Sequence, residues 1–238
     1  MARIDTLLFD LDGTLIDTVD LIVESYHHVW EKNFGYRQER SVITRTMGML
    51  IDLSMHQLIE TGVSENQIKL IEDQHVVVRR LLDQYREFNL AHHDKLIKPF
   101  PNVNETLQEL RQRGYRIGVV TSKRLLGAER GLKAFDLDKL VDVVIAAEDT
   151  TEHKPHPAPL IKGMERLESS PETTAYIGDS THDMIAGKRA GVFTVAALWG
   201  PFDPEELRAT LPDLIISLPI ELLEQFQFVA PPSTENSG

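Results

Sequence analysis

Residues 6–14 read Thr-Leu-Leu-Phe-Asp-Leu-Asp-Gly-Thr, and the fold turns on how that stretch is parsed. The run from Thr6 to Phe9 has the texture of a short buried strand. Asp10 and Asp12 follow where its backbone must turn out towards solvent. In an open α/β sheet, reacting ligands sit outside the carboxyl ends of the strands. A carboxylate there can attack phosphorus, and a second one two residues on can shuttle the proton. An acidic loop capping the next helix would look the same over so few residues. The rest of the chain has to decide.

Downstream, Asp17-Thr18 supplies N-cap chemistry for a helix from about Val19 to Asn33, closed by Gly35. Residues 38–47 and 52–61 read as shorter helices separated by Gly48. Ser64-Glu65 opens a periodic stretch to about Asn89, with Ile68, Leu70, Ile71, Val76, Val78, Leu81, Leu82 and Tyr85 as its apolar positions. No strand candidate interrupts residues 18–90. Two hinge strands are expected near Ile16–Thr18 and Leu96–Pro101, where the chain leaves and rejoins the sheet-forming part.

From Phe100 the texture changes. A helix over 103–113 ends at Gly114, and Arg116–Thr121 reads as a buried strand. Further strands are expected at Val141–Ala146, Thr174–Ile177, Phe193–Ala197 and Leu214–Ile216. Helical patterns separate them at 125–134, 156–167, 183–190, 204–211 and 219–226. Such alternation predicts an α/β fold whose parallel sheet is covered by helices on both faces. The expected organisation is an α/β core formed by 1–17 and 96–228, an all-helical cap inserted at 18–95, and a polar, proline-containing tail at 229–238 that is expected to be disordered.

Composition narrows the function. With 238 residues, 42% hydrophobic and 26% charged, the chain can bury a proper core. No apolar stretch approaches a membrane span, and the N-terminus lacks the basic and apolar regions of a signal peptide. The absence of cysteine excludes disulfides, thiolate metal sites and cysteine nucleophiles. A cytoplasmic protein is expected. Net charge is −12, from 37 acidic against 25 basic residues, which disfavours nucleic acid as a partner. No membrane association and no obligate protein partner are inferred. A site for a small anionic phosphate substrate must therefore reverse the field locally, with a metal ion and a lysine.

Four strand ends carry residues suited to that task. The first has Asp10, Asp12 and Thr14; the second has Thr121-Ser122-Lys123. Lys154 follows in His-Lys-Pro-His-Pro-Ala-Pro, and the last end is Gly178-Asp179-Ser-Thr-His-Asp183. Asp10 is the candidate nucleophile and Asp12 the candidate acid–base. Asp10 and Asp179 would be carboxylate ligands of Mg²⁺, which accepts water for the rest of its shell. Asp183, at the start of a helix, can orient that shell. The Thr121 hydroxyl can hold phosphoryl oxygens, and Lys154 can offset the crowded negative charge. Taken singly, Thr121-Ser122 is an ordinary strand exit, Lys154 a solvated surface lysine and Asp183 a helix cap. Their joint occurrence, each at the end of a strand, is what carries the reading.

These residues resemble the haloacid dehalogenase superfamily pattern over residues 5–226. Asp10-Leu-Asp12-Gly-Thr14 looks like its first motif, Thr121 its second, Lys154 its third and Asp179 to Asp183 its fourth. The resemblance implies a Rossmann-like core, a type 1 helical cap, Mg²⁺, an aspartyl-phosphate intermediate on Asp10 and the backbone carbonyl of Asp12 as a further metal ligand. Asp12 and Asp179 argue against a true dehalogenase. β-Phosphoglucomutases carry a histidine where Ile22 stands and a serine-arginine pair where this chain has Leu50-Ile51, which removes the grip on a second phosphate.

Within the superfamily the chain is most similar to the bacterial PpaX-like pyrophosphatase group, neighbours of the phosphoglycolate phosphatases. The resemblance rests on His92-His93-Asp94, Gly114–Lys123, Gly131-Leu132-Lys133, Lys154–Pro159 and His182–Lys188. It implies a Mg²⁺-dependent inorganic pyrophosphatase, with hydrolysis of phosphoglycolate or another small phosphomonoester as the alternative. A remoter alternative is a regulatory protein that keeps the fold without turnover, although Asp10, Asp12, Lys154 and Asp179 are all retained. Arg45, Gly48, His93 and Lys123 are the candidate substrate-binding residues, and Asp183, Thr14 and Ser122 are expected to support the catalytic and metal-binding groups.

Overall fold

Leu7 and Phe9 point to one side of the first strand and Leu8 to the other, and all three are buried. A strand buried on both faces needs cover on both, and this one sits at the middle of a sheet. The computed structural model describes residues 4–62 and 74–227. Six strands lie parallel in the order β5-β4-β1-β6-β7-β8, formed by Val143–Ile145, Arg116–Val120, Thr6–Phe9, Thr174–Gly178, Phe193–Ala197 and Leu214–Ile216. Leu7 and Phe9 pack with Leu107, Leu110, Ala128, Leu132 and Leu222, from helices Val103–Gln112, Leu125–Ala134 and Leu222–Gln225. On the opposite face Leu8 and Tyr176 meet Leu160, Met164 and Ala186, from helices Ala158–Arg166 and Thr181–Ala190.

From β1 the chain moves outward through β4 and β5, then returns to the other side of β1 and moves outward again through β6 to β8. The strand order therefore reverses between β1 and β6, and a crevice opens at their carboxyl ends. The register aligns Phe9 with Ile177. Asp10 N–H donates to the Ile177 carbonyl at 2.9 Å, which fixes the two loops beside each other.

A helical segment leaves after β1. Among the described residues its helices are Val19–Phe34, Arg40–Thr44, Ile51–Gly62 and Gln74–Leu96. Tyr26, Trp30, Met55, Leu58, Val78, Leu81 and Tyr85 form an apolar cluster of their own. Val76 is 62% exposed, contrary to its place in the expected apolar stripe. Val78, Leu81, Leu82 and Tyr85 recur at helical spacing on the buried face, and two residues earlier the helix faces away. The last helix runs on past Asn89 to Leu96, whereas Ser64-Glu65, Ile68, Leu70 and Ile71 lie outside the described residues, as does the expected tail at 229–238. Gly35 closes the first helix in the left-handed conformation, as expected; its start is held by Asp17 Oδ1, which accepts from Val19 N–H at 3.1 Å, and not by Thr18.

Two short antiparallel strands, β2 (Ile16–Asp17) and β3 (Lys98–Pro99), pair where the chain crosses between sheet and helices. Among the described residues no helix is long and apolar enough to cross a membrane. Trp30 is fully buried, with Tyr26 edge-on at 5.8 Å and Phe34 at 5.5 Å. Trp30→Ala is expected to cost about 3–5 kcal/mol in a urea titration followed by circular dichroism. A loss under about 1 kcal/mol would mean that this cluster does not hold the helical segment together.

Candidate active site

The crevice between β1 and β6 gathers charge that a protein interior ordinarily rejects. Asp10, Asp179, Asp183 and Lys154 are all buried. Lys154 Nζ donates to Asp10 Oδ1 at 2.7 Å, to Asp183 Oδ1 at 2.7 Å and to the Tyr176 hydroxyl at 3.1 Å. Asp183 is saturated. Its Oδ1 also accepts from Tyr176 Oη at 2.8 Å, and its Oδ2 accepts from the Ser180 backbone N–H at 3.0 Å and hydroxyl at 2.6 Å. The Ser180 and Asp183 contacts form a capping box that starts helix Thr181–Ala190, so one residue both caps the helix and anchors Lys154.

The charge distribution follows from these contacts. Burial acts to raise the Asp183 carboxyl, but Lys154, Ser180 and Tyr176 together hold it below its ordinary range. Burial pushes Asp10 up to about 7, with the Asp183 and Asp12 charges adding to the rise and Lys154 opposing it. Asp179 is raised well above the usual carboxylate range, first by burial and then by repulsion from Asp10 and Asp183. The Lys154 ammonium is held charged, because its two carboxylate partners outweigh the cost of burial.

A divalent cation fits this arrangement. Ligand oxygens of Asp10, Asp179 and Asp183 lie within 4.8 Å of one another, and a hard oxygen set suits a hard ion. Asp183 spends its oxygens on protein donors, so Asp10 and Asp179 hold the remaining capacity. Thr14 Oγ1 donates to Asp179 Oδ1 at 2.8 Å, which orients that carboxylate. Gly13, at φ +92°, and Gly200 both pack on Asp179; a Cβ at either would come within 2.4 Å of it. Trp199 Nε1 donates to the Thr14 carbonyl at 2.9 Å and ties that second glycine's loop to the first motif.

Above the carboxylates lies a cavity of about 560 Å³, lined by Asp10, Asp12, Thr121, Ser122 and Lys123 from the core and by Thr46–Asp52 from the helical segment. Thr121 sits buried just past β4, and its hydroxyl accepts from Lys123 N–H at 3.1 Å. Lys123 Nζ donates to Asp12 Oδ1 at 2.8 Å, so the Asp12 side chain is turned to a cation of the protein and stands outside the carboxylate cluster. Ser122 Oγ donates to the Gly48 carbonyl at 2.7 Å and so ties the end of β4 to the helical segment. Gly48, at φ +82°, lines the cavity, and a Cβ there would stand 2.8 Å from Ser180 Oγ.

Two of the expected substrate contacts are not brought to the cavity. Arg45 is exposed and outside its lining, because the short helix Arg40–Thr44 and the turn that follows it bury Ile43, Thr46 and Met47 instead. His93 is buried in the last turn of helix Gln74–Leu96, close to Gly131, and bonds Asp94 Oδ1 through Nδ1 at 2.8 Å. Asp94 in turn accepts two bonds from Arg130 at 2.9 Å, a surface clamp between the two parts of the chain. In place of Arg45 and His93 the cavity presents Arg86 and Arg124. Tyr176, Ser180, Trp199 and Gly200 also escaped the sequence reading. A tyrosine inside the apolar strand run Ala175-Tyr176-Ile177 was the available signal, since a buried phenol must find a partner.

Fold and site together define a hydrolase of the α/β class. A family described as haloacid dehalogenase-like hydrolase matches residues 7–197, and the chain belongs to that family. It is 36% identical over 221 residues to the pyrophosphatase PpaX of Bacillus mycoides, an alignment covering 93% of this chain and 96% of the relative. A protein from Bacteroides fragilis classed as a haloacid dehalogenase-like hydrolase superposes with a TM-score of 0.82 at 30% identity, over 93% of this chain and 100% of that one. A predicted phosphoglycolate phosphatase from Haemophilus somnus superposes with a TM-score of 0.81 at 23% identity, over 95% and 100%; at that identity the likeness speaks for the fold alone.

Removing Lys154 would leave Asp10 and Asp183 buried without their cation. Lys154→Met is expected to lower stability by about 3–5 kcal/mol in urea, measured in metal-free buffer. Wild-type stability in that variant would show that the ammonium does not balance the cluster.

Proposed function

We propose that the chain is a Mg²⁺-dependent phosphohydrolase that works through an aspartyl-phosphate on Asp10, with inorganic pyrophosphate as its substrate. The observation that carries the reading is Asp10 itself: a carboxylate at the sheet's switch point, fixed at 2.7 Å by a buried lysine and opening onto a cavity. Asp10 attacks phosphorus as the bond to the leaving oxygen breaks, and Asp12 gives that oxygen its proton. Asp12 then takes a proton from the water that displaces Asp10 from phosphorus. Thr121 holds a phosphoryl oxygen. Lys123 turns from Asp12 to the substrate when phosphate enters, which frees Asp12 for proton transfer. Mg²⁺, held by the Asp10 and Asp179 carboxylates with the Asp12 carbonyl, would neutralise charge on the transferring group.

The pyrophosphate reading is supported by relatives at 35% and 36% identity that carry that activity in their name, and by Lys123, Arg86 and Arg124 at the cavity. Residues 1–17 and 96–228 act as the core and 18–95 as a cap that opens and closes about β2 and β3. A cytoplasmic enzyme is in keeping with a chain free of cysteine.

Asp10→Asn is expected to abolish turnover while the fold survives a near-isosteric change, with activity scored as released phosphate and folding by circular dichroism. Asp12→Asn should slow a substrate with a poor leaving group by roughly 10²–10⁴-fold. Exhaustive EDTA treatment should remove activity and Mg²⁺ should restore it; full activity without metal would contradict the role given to Asp179. The substrate is tested by the ratio of catalytic efficiencies at saturating Mg²⁺. A tenfold lead for phosphoglycolate over pyrophosphate would overturn the choice of pyrophosphate, and the reverse ratio would support it.

A further inference from the structure

The cavity is much larger than pyrophosphate requires, and its far wall is of a different character from its floor. At about 560 Å³ it falls within the range of roughly 300–1,000 Å³ that organic ligands occupy. The floor carries Asp10, Asp12 and Thr121. The wall opposite is built from Ile22, Tyr26, Met49, Leu50, Ile51 and Tyr85. At the lining's exposed edge Leu90 and Leu126 are 48% and 70% exposed, one from the helical segment and one from the core.

The polar groups in that wall are already engaged. Tyr26 Oη lies 2.7 Å from Ser54 Oγ, Ser54 donates to Thr46 Oγ1 at 2.6 Å, and Thr46 donates to the Ile43 carbonyl at 2.8 Å. This relay ends on backbone and offers no hydroxyl in search of a partner. The cations at the lining carry carboxylate partners, Lys123 with Asp12 at 2.8 Å, Arg124 with Glu148 at 2.8 Å and Arg86 with Asp52 at 3.4 Å, while Arg86 Nε is buried without a partner. The far wall itself offers a sugar no free hydroxyl to bond, whereas an apolar ring placed against it would only displace water from carbon.

We propose that the same site has a second activity, the hydrolysis of phosphomonoesters whose alcohol carries an apolar, ring-sized group. The phosphoryl group lies on Asp10 and the ring packs against the Tyr26, Ile51 and Tyr85 wall, with Leu90 and Leu126 closing over it. In the balanced reaction the ester P–O bond breaks and a P–O bond from water forms. The alcohol leaves with one proton of that water and inorganic phosphate carries the other. This proposal rests on the reading of Asp10 as the nucleophile.

The test compares phenethyl phosphate with ethyl phosphate at saturating Mg²⁺. Their alcohols are of similar acidity, so the ratio of catalytic efficiencies reads the ring and not the leaving group. Burial of one ring predicts a ratio of roughly ten to a hundred. In Leu90→Ser/Leu126→Ser, at two partly exposed positions, the ratio should fall at least about threefold, as expected when part of the apolar contact is lost. A ratio near one in the wild type, or an unchanged ratio in the double variant, overturns the proposal. Hydrolysis of pyrophosphate with neither ester attacked overturns it too, but leaves the role of Asp10 standing. Failure of all three substrates overturns the reading of Asp10 and the second activity with it.

Discussion

The structure depends on a local surplus of negative charge. Asp10, Asp179 and Asp183 are buried with ligand oxygens within 4.8 Å of one another, and among the described residues Lys154 is the cation bonded into that cluster. Burying charge is costly unless each ion is paired and hydrogen-bonded. The chain meets the condition in full for Asp183, through Lys154, Tyr176 and Ser180, and only in part for Asp10, bonded by Lys154, and for Asp179, bonded by the Thr14 hydroxyl. Their raised affinity for protons is the electrostatic signature of a site that favours a bound cation.

That surplus also constrains the backbone around it. Glycine stands at 13, 178 and 200, and at each a Cβ would come within 2.4 Å of Asp179 or Asp183. Loops from three strand ends thus approach the carboxylates to a distance no side chain would allow. The helical segment meets the same loops through Gly48, which accepts from Ser122 and comes close to Ser180. Ser180 caps the helix bearing Asp183, so Gly48 in the cavity's upper wall abuts the residue that holds Asp183 in place. A shift of the helical segment would be felt at the capping box, and any substrate that separates Gly48 from Ser122 must offset that hydrogen bond.

Much of this was legible in the chain. Strands β7 and β8 and the helix Leu125–Ala134 lie where the apolar pattern and the turn residues put them. The reason is physical: a parallel strand buried on both faces leaves a continuous apolar run, and a bracketing glycine or proline marks its ends. Asp10, Asp12, Thr121, Lys154, Asp179 and Asp183 could be named because each falls at a strand's carboxyl end. The expected helix at 219–226 resolves instead into a 3₁₀ turn, Pro219–Glu221, followed by a single α-turn, Leu222–Gln225. What spacing could not tell was which arginine faces the cavity. Arg45 and Arg86 are equally charged, and the choice is made by the packing of Ile43 and Tyr85 against the rest of the helical cluster. His93 stands near the return of the chain to the sheet, as expected, but the last turn of its helix carries it into the junction beside Gly131, where it bonds Asp94 and not a substrate-facing surface. Gly200 lay in a loop with no motif, and only the third dimension brings it to Asp179.

The central claim is that Asp10 forms a covalent bond to phosphorus, and it can be tested on the intermediate itself. Enzyme mixed with pyrophosphate and Mg²⁺ is quenched in acid during the first turnover, reduced with borohydride, and digested for peptide mass spectrometry. An aspartyl-phosphate is converted to homoserine by this treatment, so the account predicts homoserine at position 10 and aspartate at positions 12, 179 and 183. Homoserine at any other aspartate, or unmodified Asp10 in an enzyme that is demonstrably turning over, would contradict it.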